Sequence, residues 1–195
     1  MENINSVVEL MRQHGMRLPE EKLRIQIPNA KHLMELTLNR FINQNGEKAK
    51  WLPEYNDIVD WLEDNNGLGL LLHGKCGLGK TIMGRYVIPG IILYKLNKIV
   101  TCYDTNVLNA KLDEALGKKL ISIDDVGTEE VSVKFGEKRL AFAELMDMVE
   151  KQSKLIIITT NLSAEQLIAK YGDRTMDRII ATTKRIAFNG DSFRK

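Results

Sequence analysis

Apolar and polar positions in the first third of the chain follow a helical period. Apolar residues from Ile4 to Met11 recur at helical spacing and predict a helix that ends at Gly15. Further helices are predicted over residues 31–44 and 54–63. The apolar stripes of the first two helices must be buried against something, and two alternatives stay open, packing on the main domain or contact with a partner protein.

In the remainder of the chain, short apolar runs alternate with helical segments. Strands are predicted at residues 68–73, 99–103, 120–123, 155–160 and 185–188. Helices are predicted between them at residues 81–97, 106–116, 138–152 and 164–171. This alternation predicts the α/β class, with a mainly parallel five-stranded sheet flanked by helices. Pro89 and Gly90 interrupt the first of these helices, where either a helix end or a hinge is expected.

Length, charge and cysteine content narrow the class of protein. The 195 residues suit a main domain over residues 51–195 with a helical N-terminal extension over residues 1–50, a candidate partner-binding segment. A formal net charge of +2 gives no bulk electrostatic signal for nucleic acid or membrane. Two cysteines are too few for a disulfide framework, and no signal or membrane-spanning pattern occurs. A cytoplasmic protein without a membrane partner is therefore predicted.

The segment between the first predicted strand and the next helix matches the Walker A pattern of phosphate-binding loops. Its glycines let backbone N–H groups turn inward around phosphate oxygens, aided by the positive end of the following helix. Lys80 is expected to reach the β- and γ-phosphates, and the Thr81 hydroxyl to bind magnesium. The loop residues are Gly74, Lys75, Cys76, Gly77, Leu78, Gly79, Lys80 and Thr81. The sequence therefore predicts a site for ATP with Mg²⁺.

A second element of the same site is predicted where an apolar strand ends in Asp124 and Asp125. Two carboxylates in this position are typical of a Walker B element, in which Asp124 would hold magnesium. Asp125 is then placed to orient and polarise the attacking water. An aspartate there, rather than the longer glutamate, suggests slow hydrolysis suited to a switch. The strand at residues 99–103 falls between the two motifs, which indicates the additional-strand class of NTPases.

Asn161 follows the strand at residues 155–160 and is a further candidate for the site. Its amide could sense the γ-phosphate or the attacking water. The alternative is that it caps the helix that begins near Ser163.

Two arginines near the end of the chain are candidates for catalysis between subunits. Arg174 and Arg178 are four residues apart and share one face if the segment is helical. Either could act as an arginine finger that stabilises charge on a neighbouring subunit's γ-phosphate, which would require self-association. The alternative is a surface salt bridge, for instance to Asp173 or Asp177.

Taken together, the segments GKCGLGKT, LISIDDVG, IIITTNLS and YGDRTMDRI, with a closing FNGDSFR, resemble the DnaC/DnaI/IstB group of AAA+ ATPases. The similarity spans residues 54–195. It implies an ATP site formed by Lys80, Thr81, Asp124 and Asp125. It also implies that Asn161 acts as sensor 1, that Arg178 is the finger in trans with Arg174 as second choice, and that the C-terminal lid is reduced or absent.

The same resemblance implies partners. Proteins of this group bind single-stranded DNA through the ATPase domain and grip the replicative helicase through an N-terminal segment. Family members use a longer helical insertion for DNA contact than the connection at residues 104–119 provides here. Arg194 is left as a candidate lid-type arginine.

These motifs are consistent with three functions. The first is an ATP-dependent helicase loader or replication accessory protein that oligomerises, and the second is a transposition helper ATPase with the same motifs. A small-molecule or nucleotide kinase is the alternative from another class, although residues 1–73 precede the loop and kinases usually begin near it. A GTPase has less support, because no guanine-reading Asn-Lys-x-Asp motif occurs.

Overall fold

The computed structural model describes residues 4–16, 18, 20–42, 49–129, 132–134 and 137–190. The helices are α1 (Ile4–Gln13), α2 (Ala30–Ile42), α3 (Glu54–Glu63), α4 (Lys80–Ile82), α5 (Ile88–Leu96), α6 (Thr105–Leu116), α7 (Ala141–Lys151), α8 (Ala164–Tyr171) and α9 (Asp173–Thr182). The strands are β1 (Gly69–Gly74), β2 (Thr101–Asp104), β3 (Leu120–Val126), β4 (Ser132–Lys134), β5 (Glu137–Arg139), β6 (Leu155–Thr160) and β7 (Thr183–Phe188). Within these ranges, none of the helices has both the length and the apolar character needed to span a bilayer.

The sheet is parallel and five-stranded, in the order β2-β3-β6-β1-β7, which confirms the predicted fold class. β6 lies between β1, which carries the phosphate-loop motif, and β3, which carries the acidic pair. Thr160 at the end of β6 pairs with His73 of β1 and with Val126 of β3. The carboxyl ends of the three strands therefore meet at one edge of the sheet.

Both faces of the sheet are buried, as the continuous apolar character of its strands predicts. Leu70 and Leu72 of β1 pack into a core shared with α2, α3 and α5. Leu71, between them, points to the opposite core, which α6, α7, α8 and α9 cover. Alternation along one strand thus joins two layers of helices to a single sheet.

The segment before α3 contributes to the first of these cores. Ile25, Ile27 and Met34 are fully buried there, so α2 follows the packing alternative. α1 differs, because Val7 is 53% and Leu10 57% exposed. The proposed division between an extension and the ATPase domain at residue 50 stays a prediction.

The helix after the phosphate-loop motif continues through Pro89. Of the two alternatives at this position, a helix end or a hinge, the helix end is therefore wrong. A π-helical turn, Met83–Val87, leads directly into α5, and the Ile88 N–H donates to the carbonyl of Met83. Pro89 has no N–H to give the carbonyl of Arg85, and the thiol of Cys102 donates to that carbonyl instead, at 3.7 Å. The wide turn therefore accommodates the proline without breaking the helix.

The same turn brings the helix against β3. Because the Ile88 N–H bonds one residue further back than in an α-helix, the Gly84 carbonyl loses its usual donor, and the hydroxyl of Ser122 on β3 donates to it at 2.7 Å. Gly84 also has no room for a side chain, since an added Cβ would lie 2.7 Å from Cγ2 of Thr159. The helix is thus docked closely on the strands that carry the acidic pair and Asn161.

Several element boundaries differ from the sequence predictions by a few residues, and two differences change the elements themselves. Residues 138–152 were predicted as one helix, but β5 pairs with β4 in an antiparallel hairpin, so α7 begins only at Ala141. α9 was not predicted as a separate element, and it follows α8 directly after Gly172, whose φ of +84° lies in the left-handed region.

Candidate functional site

The backbone of the loop between β1 and α4 has the shape of a phosphate cradle. Gly74, Gly77 and Gly79 have φ values of +133°, +84° and +82°, conformations that residues with a Cβ rarely adopt. At Gly74 an added Cβ would lie 2.3 Å from the carbonyl oxygen of Phe188 on β7. The glycines are therefore required by backbone geometry, and they turn N–H groups toward one concave side.

Lys80 begins α4 and is buried over this loop. Its Nζ donates to the carbonyl oxygens of Gly74 at 2.8 Å and Lys75 at 2.7 Å. These contacts hold the ammonium across the mouth of the cradle, where phosphate oxygens would become further acceptors.

The other loop residues divide by exposure. Leu78 is buried and anchors the loop in the core, whereas Lys75, Cys76 and Thr81 are exposed. Thr81 is therefore accessible from solvent at the start of α4, as a magnesium ligand must be.

Asp124 lies at the carboxyl end of β3 and is only 5% exposed. Thr159 of β6 connects it to its neighbour: the Thr159 hydroxyl donates to Asp124 Oδ1 at 2.6 Å and accepts from the Asp125 N–H at 2.9 Å. Thr159 was not among the predicted site residues. Its polar hydroxyl at the end of an otherwise apolar strand is the signal that could have found it.

Asp125 and Asn161 are brought together at this edge of the sheet. Asn161 Nδ2 donates to Asp125 Oδ1 at 2.7 Å. Asp125 has a φ of +58°, a strained conformation for a residue with a Cβ. The alternative role of Asn161 as a helix cap does not apply, because Ser163 caps α8 and forms a capping box with Gln166.

The chain that leaves Asp125 is held by a buried carboxylate, Glu129. The Gly127 N–H donates to Glu129 Oε2 at 3.0 Å, and the hydroxyl of Tyr171 donates to the other oxygen. Burial and the adjacent Glu129 raise the pKa of Tyr171, so it remains a donor. Lys170 adds a cation 3.6 Å from Glu129, which ties α8 to the segment after β3.

The donor set suits a hard divalent cation. The Asp124 carboxylate and the Thr81 hydroxyl offer oxygen ligands, and Mg²⁺ prefers oxygen. Asp124 and Thr81 are the residues that would hold the ion. These residues fit the ATP and magnesium site that the sequence predicts.

An arginine that the sequence analysis did not single out also reaches Asp124. Arg85 lies on the π-helical turn, and its Nη1 is 3.7 Å from Asp124 Oδ2. The same nitrogen forms a closer ion pair with Asp104 at the end of β2. The hydrogen bond to Asp104 is the main reason why the pKa of Arg85 is raised.

The two candidate finger arginines occupy different environments on α9. Arg178 is 8% exposed, and its guanidinium pairs with Asp147 at 2.5 Å and Glu150 at 3.1 Å, both on α7. Arg174, one turn earlier, is exposed. Arg178 thus forms salt bridges within its own subunit, as the alternative expected. Its partners lie on α7 and are not the expected Asp173 or Asp177. Arg194 lies outside the described residues.

Comparison with solved structures shows the class of fold. The chain is similar to the crystal structure of the DnaC helicase loader, with a TM-score of 0.60 and 20% identity over 77% of this chain and 99% of that one. It is similar to AMPPCP-bound DnaA from Aquifex aeolicus, with a TM-score of 0.53 and 15% identity over 79% of this chain and 52% of that one. For DnaI the TM-score is 0.50 with 20% identity, over 84% of this chain and 87% of that one. No curated protein sequence matches the chain.

The fold and the site together define a P-loop protein of the AAA+ class, with an additional strand between the loop strand and the acidic strand. The sequence model of one family, described as IstB-like ATP binding protein, matches residues 91–195. The chain belongs to this family of ATP-binding proteins.

Proposed function

We propose that this protein hydrolyses ATP with magnesium as a slow switch and acts as a helicase loader or replication accessory protein. The observation that carries the proposal is the contact of 2.7 Å between Asn161 and Asp125, beside the phosphate loop. A carboxylate that orients the attacking water must itself be held in place, and this contact can do so. The similarity to a DnaC helicase loader and to DnaI supports the loader role.

Each residue has a separate task in this proposal. Lys80 and the loop N–H groups bind the phosphates, and Asp124 with Thr81 holds magnesium, which neutralises phosphate charge when bound. Asp125 accepts a hydrogen bond from the attacking water and orients it. Asn161 holds the Asp125 carboxylate in place and detects the γ-phosphate.

The arginine finger is proposed to come from α9 of a neighbouring subunit. Arg174 is exposed and could reach a neighbour without rearrangement within its own subunit. Arg178 is nearly buried and would first have to leave Asp147 and Glu150, so its guanidinium would lose two ion pairs before it could reach a neighbour. The geometry therefore favours Arg174, the second choice from sequence, and it implies self-association.

The proposed macromolecular partners are single-stranded DNA and a replicative helicase. The exposed apolar residues of α1, Val7 and Leu10, support the use of the N-terminal segment for a protein partner. DNA contact is supported by similarity of fold and family. The connection at residues 104–119, where family members use a longer insertion for DNA contact, is occupied by α6.

Subunit mixing tests hydrolysis and the finger together. The Lys80→Ala variant should not bind ATP but keeps its arginines, and Arg174→Ala should bind ATP without a finger. Each alone should release little phosphate, whereas an equal mixture should recover activity, because the first variant can supply Arg174 to the second. Arg40→Ala, an exposed arginine on α2, is the matched control and should behave like the unaltered protein.

The results of mixing also discriminate between the arginines. Normal hydrolysis by Arg174→Ala, together with recovery of a folded Arg178→Ala variant by Lys80→Ala, would assign the finger to Arg178. Absence of phosphate release by the unaltered protein, with ATP, magnesium and single-stranded DNA present, would overturn the proposed hydrolysis.

A transposition helper role is a second candidate, and the IstB-like family match favours it. Both roles use the same ATP site and differ in the partner protein. Measured binding of the ATP-loaded protein to a purified replicative helicase or to a purified transposase separates them.

A further inference from the structure

Arg85 contacts the carboxylate that is assigned to magnesium. Its side chain is 26% exposed, that of Asp124 is 6% exposed, and Nη1 of Arg85 is 3.7 Å from Oδ2 of Asp124. Arg85 follows Thr81 by four positions, so both project from the helix that is docked on β3 by Ser122 and Gly84. An arginine beside a proposed divalent cation site is electrostatically unfavourable to that cation.

Asp104 is the second partner of Arg85, and the sheet determines its position. β2 and β3 are parallel, and Asp104 pairs directly with Asp124 in their register. Two carboxylates on adjacent strand ends repel each other, and the guanidinium between them relieves that repulsion. Asp104 forms the closer of the two ion pairs.

α6 is attached at the same point. The hydroxyl of Thr105, which begins α6, donates to the Asp124 carbonyl at 2.7 Å. The side chain of Asp124 also accepts from Thr159. The Thr105 bond fixes the Asp124 backbone and the Thr159 bond holds its carboxylate, whereas the longer Arg85 side chain has two carboxylates to choose between, so we expect the arginine to move when the charge at the site changes.

We propose that Arg85 is a built-in competitor of the divalent cation at Asp124, and that Asp104 sets how strongly it competes. This inference rests on the proposed magnesium site and concerns its regulation. When the cation is bound, repulsion moves Arg85 toward Asp104. When the cation is absent, Arg85 neutralises Asp124. The pair Arg85 and Asp104 thereby tunes how much magnesium strengthens nucleotide binding.

The two residues then have opposite effects, which a purely structural role would not produce. Without Arg85, two adjacent carboxylates lack their counter-ion and attract a divalent cation more strongly. Without the charge of Asp104, the guanidinium pairs with Asp124 alone and opposes the cation more. If a substitution instead damaged the structure, it would weaken nucleotide binding whether or not magnesium is present.

The test is isothermal titration calorimetry of AMPPCP, a non-hydrolysable ATP analogue, with EDTA and with saturating MgCl₂. The ratio of the two Kd values measures the magnesium enhancement, and general damage to the site cancels in it. Arg85→Gln should raise this ratio about three- to tenfold, and Asp104→Asn should lower it by a similar factor, since one charge about 4 Å away that is screened as in water is worth somewhat less than one tenfold step.

Matched variants complete the experiment. Arg40→Gln on α2 and Asp113→Asn on α6 make the same charge changes at exposed positions away from the site and should leave the ratio unchanged. The double variant Arg85→Gln with Asp104→Asn should return toward the unaltered value. Arg85→Lys keeps the charge, so its ratio should stay close to that of the unaltered protein. This variant is the one to measure if Arg85→Gln does not fold.

The outcomes separate the inference from the function beneath it. If magnesium does not strengthen AMPPCP binding to the unaltered protein, the proposed magnesium site is wrong. If magnesium does strengthen it, but Arg85→Gln lowers the ratio or leaves it unchanged, the competition is wrong. If both single variants shift the ratio in the same direction, Asp104 does not control the competition and the inference is also overturned.

Discussion

At the scale of single residues, Thr159 connects the acidic pair. One hydroxyl donates to the Asp124 carboxylate and accepts from the backbone N–H of Asp125, so it fixes both residues relative to β6. Its methyl group also lies where Gly84 leaves space for it. The geometry of the candidate active site therefore depends on a residue outside both the phosphate loop and the acidic pair.

Replacing Thr159 by valine should test this contact. Valine keeps the shape but leaves the buried Asp125 N–H without its acceptor, which should lower the free energy of unfolding by about 1–3 kcal/mol. ATP hydrolysis should fall with little change in ATP affinity, because the phosphate loop is not altered. Thr159→Ser, which keeps the hydroxyl, is the control, measured by urea denaturation and steady-state phosphate release. Equal stability and activity of the valine and serine variants would show that the hydroxyl is not required.

At the scale of elements, the helix after the loop is docked on the sheet through its backbone. The π-helical turn removes the helical donor of the Gly84 carbonyl, and Pro89 removes that of the Arg85 carbonyl. The hydroxyl of Ser122 on β3 donates to the first, and the thiol of Cys102 on β2 lies 3.7 Å from the second. This arrangement connects the phosphate loop to β2 and β3 with little side-chain bulk between them.

Two glycines in this helical region should respond in opposite ways to alanine. Gly84→Ala would place a Cβ 2.7 Å from Thr159 and should destabilise the protein by about 1–3 kcal/mol, as overpacking does. At Gly90, nothing lies within 4 Å of an added Cβ, and alanine should stabilise the helix by about 0.5–1 kcal/mol. Urea denaturation of both variants measures the difference. A Gly84→Ala variant as stable as Gly90→Ala would contradict the close docking.

The sequence could predict the elements whose signals are local. The five parallel strands follow from the alternation of apolar runs and helices, and the structure confirms them. The phosphate loop and the acidic pair are contiguous motifs beside apolar strands, so they could be recognised without knowledge of the fold. The helix end expected at Pro89 was wrong. A proline removes a helical donor, and the sequence pattern does not show that Cys102 can donate to the Arg85 carbonyl in its place. The predicted start of α7 was wrong. Residues Glu137–Arg139 form β5, which pairs with β4, and the helical period did not reveal this pairing.

Contacts between distant segments could not be predicted in the same way. Arg85, Asp104 and Asp124 are brought together by the register of β2 and β3, which the sequence does not state. Arg178 pairs with two acids on α7, whereas sequence proximity suggested Asp173 and Asp177. Pairing of this kind is a property of the folded sheet and its helices.

At the scale of the whole molecule, the proposed arginine finger would place each ATP site between two subunits. Asp124, Asp125 and Asn161 occupy the carboxyl edge of the sheet beside the loop, while the exposed Arg174 lies on α9. A subunit cannot use its own Arg174 as a finger in trans. ATP binding and assembly should therefore be coupled, with the γ-phosphate favouring contact between subunits.

Mass measurement by size-exclusion chromatography with light scattering tests that coupling most directly. The unaltered protein should form larger species with ATP and magnesium than with ADP or without nucleotide, and single-stranded DNA should increase their amount. Lys80→Ala should keep one size in all conditions, because its loop lacks the phosphate-binding ammonium. A protein that remains a single subunit with ATP, ADP and DNA alike would contradict the subunit-bridging ATP switch.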